Sequence, residues 1–91
     1  MMSSPSDPIV ELNLSIPRDP RLVEMVRGLA EHAATSSGAA AAQADAFGLA
    51  VEAVLRESIE HGPATKPLGI VVRRADVVAV VVGDRAVVLP A

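Results

Sequence analysis

Residues 77–89, with the sequence VVAVVVGDRAVVL, decide the fold class of this chain. Two apolar runs, 77–82 and 86–89, flank Gly83-Asp84-Arg85, and this pattern predicts two strands joined by a tight turn. Helices that pack on such a sheet cover one face, and the opposite face usually carries alternating polar residues. Because both faces of the first strand are apolar here, the sequence predicts that something covers the second face.

A homodimer or an obligate protein partner is the economical cover, because an open valine-rich surface favours unwanted pairing. The alternative is that the N-terminal tail or the last short strand folds over it. The interaction surface predicted from the sequence consists of Val77, Ala79, Val80, Val81, Val82, Val87, Val88 and Leu89.

Upstream of this hairpin, the sequence predicts one strand and a first helix. Residues 9–16 alternate between apolar and polar side chains, which indicates a strand with one buried face. Asp19 followed by Pro20 is typical of a helix N-cap with proline at the first helical position, and the helix runs to about Ala34. Its predicted apolar stripe contains Leu22, Met25, Val26, Leu29, Ala30 and Ala33.

A second helix is predicted from the alanine-rich stretch that begins at residue 39 to His61, just before the stop signal Gly62-Pro63. Gly48 inside this helix costs ~1 kcal/mol relative to alanine and is expected to permit close helix contact. Residues 68–73 then indicate a further strand. The broad buried face of the second helix is predicted to hold Phe47, Val51, Val54, Leu55, Ser58 and Ile59.

The element order is therefore β-α-α-β-β-β. It predicts an α+β fold, a two-layer sandwich with two helices on one face of a mostly antiparallel sheet of about four strands. Residues 1–8 are expected to form a flexible tail, and residues 9–91 a single α+β domain.

Composition excludes several classes of function. A net charge of -3 and a pI near 5.2 leave no basic surface for nucleic acid or anionic membrane. The absence of cysteine excludes disulfides and thiolate metal sites, and the two histidines have no neighbouring ligand pattern, so no metal or cofactor is expected. The longest apolar run, 77–82, is far shorter than the roughly 20 residues that span a bilayer. With no secretory signal pattern at the start, we expect a cytoplasmic protein.

Residues 49–62, LAVEAVLRESIEHG, resemble a nucleotide-binding helix whose family pattern reads roughly Leu-Ala-x-Glu-Glu-Ala-x-x-Asn-Ala-x-x-His. Leu49, Ala50 and Glu52 match its opening, and His61 matches its closing histidine. Together with the strand, proline and polar turn at residues 15–20, this helix resembles the N-terminal half of the ATPase fold of histidine kinases and gyrase-type enzymes. The resemblance is closest to bacterial anti-sigma-factor serine kinases and covers about residues 10–86.

The departures from that family fall on its chemical positions. Ala53 replaces the second glutamate, which in the family orients or activates the reacting group. Glu57 replaces the asparagine that is a magnesium ligand there, although a carboxylate can still bind a hard cation. Asp84 falls where the family aspartate reads adenine, but Ala86 and Val88 stand where the following glycines would be.

The resemblance therefore implies a catalytically inactive, regulatory protein-interaction module that binds no nucleotide. The partners it implies are a sigma factor, an antagonist protein, a kinase or a second copy of the chain. Two alternatives stay open: an ATP- and magnesium-binding serine-kinase-like regulator completed by another chain, and a structural subunit that completes another protein's sheet. The vestigial motif positions are Glu52, Ala53, Glu57, His61, Asp84 and Ala86.

Ordinary explanations also exist for the polar members of this set. Glu52, Glu57 and Glu60 are typical of a solvated helix flank. A histidine such as His61 is favoured at a helix C-terminus by the helix dipole whenever it is protonated. Asp84 after Gly83 is ordinary turn chemistry.

Overall fold

The computed structural model describes residues 10–89, so the predicted tail at residues 1–8 lies outside the described residues, as do Ile9, Pro90 and Ala91. Along the chain the elements are strand β1 (Val10–Ile16), a 3-10 turn (Pro20–Leu22), helices α1 (Val23–Ser36) and α2 (Ala41–Glu60), and strands β2 (Leu68–Arg74), β3 (Val78–Val82) and β4 (Arg85–Val88). The predicted order is confirmed.

The four strands form one fully antiparallel sheet in the order β1-β2-β3-β4. Gly83, in the tight turn between β3 and β4, has a φ of 62°, a left-handed conformation that glycine adopts without steric cost. The register places Leu14, Ile70 and Val82 side by side across three strands. Because paired residues share a face, the centre of the helix-facing side of the sheet is apolar, and Arg74 and Arg85 lie at its ends.

The connection from β1 into α1 follows the predicted N-cap. Asp19 accepts a hydrogen bond from the Arg21 backbone N–H at 2.9 Å, and Pro20 occupies the first position of the turn. The turn is 3-10 rather than α-helical, so α1 itself begins at Val23. Gly38, with a φ of 100°, directly follows the C-cap of α1, and the Gln43 side chain accepts from the Ala40 N–H at 3.0 Å at the start of α2.

The core lies between the two helices and the helix-facing side of the sheet. α1 contributes mostly small residues, which lets it approach α2 closely, and α2 contributes the large side chains Phe47 and Leu55. The buried hydrophobic residues are Ile16, Val23, Val26, Ala30, Ala33, Ala34, Ala44, Phe47, Val51, Leu55, Leu68, Ile70, Val72, Val78, Val80 and Val82.

The predicted apolar stripe of α1 is wrong in part. Met25 is 47% exposed and Leu29 is only half-buried, whereas Val23 and Ala34 are buried. The reason is that α1 packs on both α2 and the sheet, so its buried arc is centred on Val26 and Ala30 and turns Met25 toward the margin.

The difference in burial between Leu55 and Leu29 predicts how much unfolding free energy each leucine-to-alanine change removes. Leu55→Ala should lower the free energy of unfolding by ~2 to 5 kcal/mol, because the Leu55 side chain is fully buried and leaves a cavity. Leu29→Ala should cost less than about 2 kcal/mol, because solvent already reaches that side chain. Urea denaturation of both variants checks the ranking, and an equal cost would contradict the packing described for α1.

Candidate functional site

Three of the vestigial motif positions meet at one cleft between the C-terminal end of α2 and the β3–β4 turn. The cleft has a volume of about 250 Å³ and brings together Glu57, His61 and Asp84. Its remaining lining residues are Arg18, Ser58, Gly62, Leu68, Val82, Gly83 and Arg85.

Several charged or polar side chains of this cleft contact one another or the backbone. The Glu57 carboxylate forms an ion pair with Arg85 on β4. Arg18 donates from Nη1 to the Ser58 carbonyl and from Nε to the Lys66 carbonyl, the latter at 3.0 Å. His61 Nδ1 lies 2.9 Å from the Glu57 carbonyl oxygen. The Glu57 carboxylate therefore already has a cationic partner in this cleft.

The absence of a side chain at Gly62 leaves room for the Arg18 guanidinium in the cleft. A Cβ atom at Gly62 would overlap the Arg18 guanidinium, so a larger residue would displace the group that holds the last turn of α2. The Arg18 contacts to Ser58 and Lys66 tie the segment after β1 to the end of α2 and the loop before β2. Arg18 therefore holds two walls of the cleft together through contacts with residues that are distant from it in sequence.

The other three vestigial positions do not reach this cleft. Ala53 is exposed, and Ala86, as the cross-strand partner of Val81, lies on the sheet face away from the helices. Glu52 accepts hydrogen bonds from Arg27 at 3.1 Å and from Arg56 at 3.0 Å. The motif positions are therefore divided among four separate surroundings.

Glu52 belongs to an ion-pair network that joins the two helices. Arg27 is its hub and also contacts Glu31 at 3.0 Å and Asp45 at 3.1 Å. Hydrogen bonds from Arg56 and then Arg27 hold the pKa of the Glu52 carboxyl below its ordinary value of 4.5. The four-residue spacings of Arg27 with Glu31 and of Glu52 with Arg56 were the sequence signal for this network.

Gly48 allows the helices to approach at the same place. It is buried, and a Cβ atom there would lie 2.6 Å from Glu31 Cγ. The expected close helix contact at Gly48 is therefore present, and its neighbour is a member of the ion-pair network.

The predicted interaction surface divides between two faces of the sheet. Val80 and Val82 are fully buried beneath the helices, and Val87 and Leu89 pack against the same core, so these four residues are not part of an open surface. Val77 is exposed but precedes β3.

The members that remain lie on the face away from the helices, together with two residues that the sequence prediction omitted, Val71 and Ala86. The cross-strand register identifies both, because Val71 pairs with Val81 and Val81 with Ala86. We call this set the outer patch: Val71, Ala79, Val81, Ala86 and Val88.

Within residues 10–89, no helix is long and apolar enough to cross a bilayer, and no group of acidic, histidine or cysteine side chains is arranged to hold a metal ion. Comparison of the chain with protein-family models, curated proteins and solved structures finds no match.

The lowered pKa of Glu52 predicts a specific acid response. A carboxyl that ionises more readily in the folded protein adds stability that is complete above pH 4.5 and is lost as the pH falls through the folded pKa. Glu52→Gln should therefore lose stability less steeply in acid than the wild type. Thermal unfolding from neutral pH down to about pH 3 measures this slope.

Glu60→Gln is the matched control, because Glu60 is also on α2 but forms no ion pair within the described residues. Its acid profile should follow that of the wild type. Identical dependence of stability on pH for the Glu52 and Glu60 variants would contradict the stabilising effect of the Arg27 network on the ionised Glu52 carboxylate.

Proposed function

We propose that this chain is a non-catalytic protein-interaction module that binds a partner through the outer patch. The observation that carries the proposal is the patch itself. Five aliphatic residues lie side by side on β2, β3 and β4, and no helix of the described residues covers them. Contiguous apolar surface of this kind, bordered by polar residues, is typical of a protein docking site.

The border of the patch supports recognition of a folded or extended polypeptide. Glu11 and Arg73 pair across β1 and β2 on the same face, and Asn13 and Ser15 continue the polar border along β1. The patch has no aromatic side chain, so the proposed partner contributes an apolar surface that packs against valine and alanine. The charged border then orients this partner more than it adds affinity.

The state of the cleft supports an absence of nucleotide chemistry. Glu57 is paired with Arg85, Ala53 offers no proton acceptor, and Glu52 is held by two arginines away from the cleft. A regulatory role, a cytoplasmic location, and a sigma factor, antagonist or kinase as the partner come from the resemblance to anti-sigma-factor kinases and are part of this proposal.

The proposal predicts that a charged side chain introduced into the outer patch prevents the partner from binding. Val88→Lys places an ammonium group at a 54% exposed position of edge strand β4. Lysine is common on exposed edge strands, so the fold of the unbound protein should be kept. We expect the partner that co-purifies with the wild-type chain from its own cells to be lost. Quantitative mass spectrometry of the co-purified proteins provides the measurement.

Leu49→Lys is the matched control, because Leu49 is 48% exposed and lies on α2 rather than on the sheet. The same partner should remain bound to this variant. Equal retention by both variants would contradict binding through the outer patch.

Binding of ATP with magnesium is the second candidate function, because Glu57, His61 and Asp84 share one cleft. Isothermal titration of the wild type with ATP and magnesium separates the two. Binding that disappears in Asp84→Ala would overturn the non-catalytic proposal in favour of the kinase-like regulator.

A further inference from the structure

Among residues 10–89, no strand pairs with the outer edge of β1. The alternating hydrogen-bond pattern of the sheet shows which backbone groups point out of this edge. Gly83 N–H donates to the Gly69 carbonyl at 2.9 Å, so the backbone groups of Gly69 point toward β3. Because this direction alternates along an antiparallel strand, the groups of Ile70 point toward β1, where they meet Leu14. The residues of β1 whose N–H and C=O groups point to the free edge are therefore Glu11, Asn13 and Ser15.

The helix-facing side of the same edge is apolar and open. Val10, Leu12 and Met25 are 46, 41 and 47% exposed, and they make up half of the six large hydrophobic residues exposed within residues 10–89. A groove of about 290 Å³ separates β1 from α1 and is lined by Val10, Leu12, Leu29 and His32 among others. Met25, Leu29 and His32 follow one side of α1 at helical spacing, so the exposed apolar surface continues from strand to helix.

Edge strands usually carry features that prevent pairing, such as prolines, lysines or a short length. β4 is short, with four residues, and begins with Arg85. β1 has seven residues, contains no proline or lysine, and has Glu11 as its single charge. The two edges of the sheet therefore differ, and β1 is the one suited to receive another strand.

The sequence of β1 is complementary to itself. Two β1 strands can pair antiparallel around a twofold axis at Asn13, and all seven residues then take part. In this register, the N–H and C=O groups that point out of one copy meet those that point out of the other. On the outer face, Glu11 then lies opposite Ser15 of the second copy, so no like charges meet. On the helix-facing side the opposed pairs are Val10 with Ile16 and Leu12 with Leu14.

We infer that the occupant of this edge is a second copy of the chain, added through β1 to form a continuous eight-stranded sheet. Two features of the pairing around Asn13 favour this occupant: no like charges meet, and the backbone groups that face each other are those that point out of the edge. The added strand extends the sheet beside the margin of α1 and covers the apolar surface at Leu12 and Met25. This interface goes beyond the proposed function, because it lies at the β1 edge and leaves the outer patch on β2 to β4 open.

The central position of Asn13 provides a charge-swap test. Asn13 is exposed, and within residues 10–89 its one side-chain hydrogen bond is to Glu11 at 3.4 Å, so the described fold does not depend on it. Wild-type chain should be a dimer by size-exclusion chromatography with light scattering. Asn13→Lys and Asn13→Asp should each shift toward monomer, because identical charges face across the axis, and an equimolar mixture should recover the dimer.

Circular dichroism of each variant confirms that loss of the dimer is not loss of the fold. Val88→Lys is the control for the outer patch and should leave the dimer intact. A wild-type monomer at millimolar concentration overturns the inference, as does a dimer that both Asn13 variants retain. Dissociation by Val88→Lys alone also overturns it and would assign self-association to the outer patch, so the two proposals fail separately.

Discussion

Within residues 10–89, the helices cover only one face of the sheet, and the rest of this structure depends on that constraint. Side chains alternate along a strand, so each valine of β3 that packs beneath the helices has a neighbour that faces away from them. Val80 and Val82 are fully buried, while Val81 between them is only half-buried. The apolar character of both faces therefore stabilises the fold on one side and leaves the outer patch uncovered by the helices on the other.

Sequence patterns identified the elements because those patterns are local. The alternation of apolar and polar residues predicted β1, and the Asp19-Pro20 cap predicted the start of the first helical segment. Gly83 predicted the hairpin turn. The rotation of α1 about its axis was not predictable, because it depends on simultaneous contact with α2 and the sheet. The division of the valines between two faces likewise required the register, since one residue of slip exchanges the faces of a strand.

The candidate cleft shows the same limit. The motif resemblance selected Glu57, His61 and Asp84, and the fold brings these three together. Two contacts within the cleft, Arg85 to Glu57 and Arg18 to Ser58, join residues 28 and 40 positions apart, so no local sequence pattern predicts them. Ion pairs that are this exposed add little stability, so their main effect is on the shape and charge of the cleft.

Methyl NMR of the valines with a soluble paramagnetic agent tests the one-sided sheet most directly. The account predicts strong broadening of the Val81 and Val88 methyl signals, and none for those of Val80 and Val82. Broadening should persist in a dimer formed through β1, because that interface leaves the outer patch open. Protection of all four valines would contradict the account, since it would mean that the second face of the sheet is already covered.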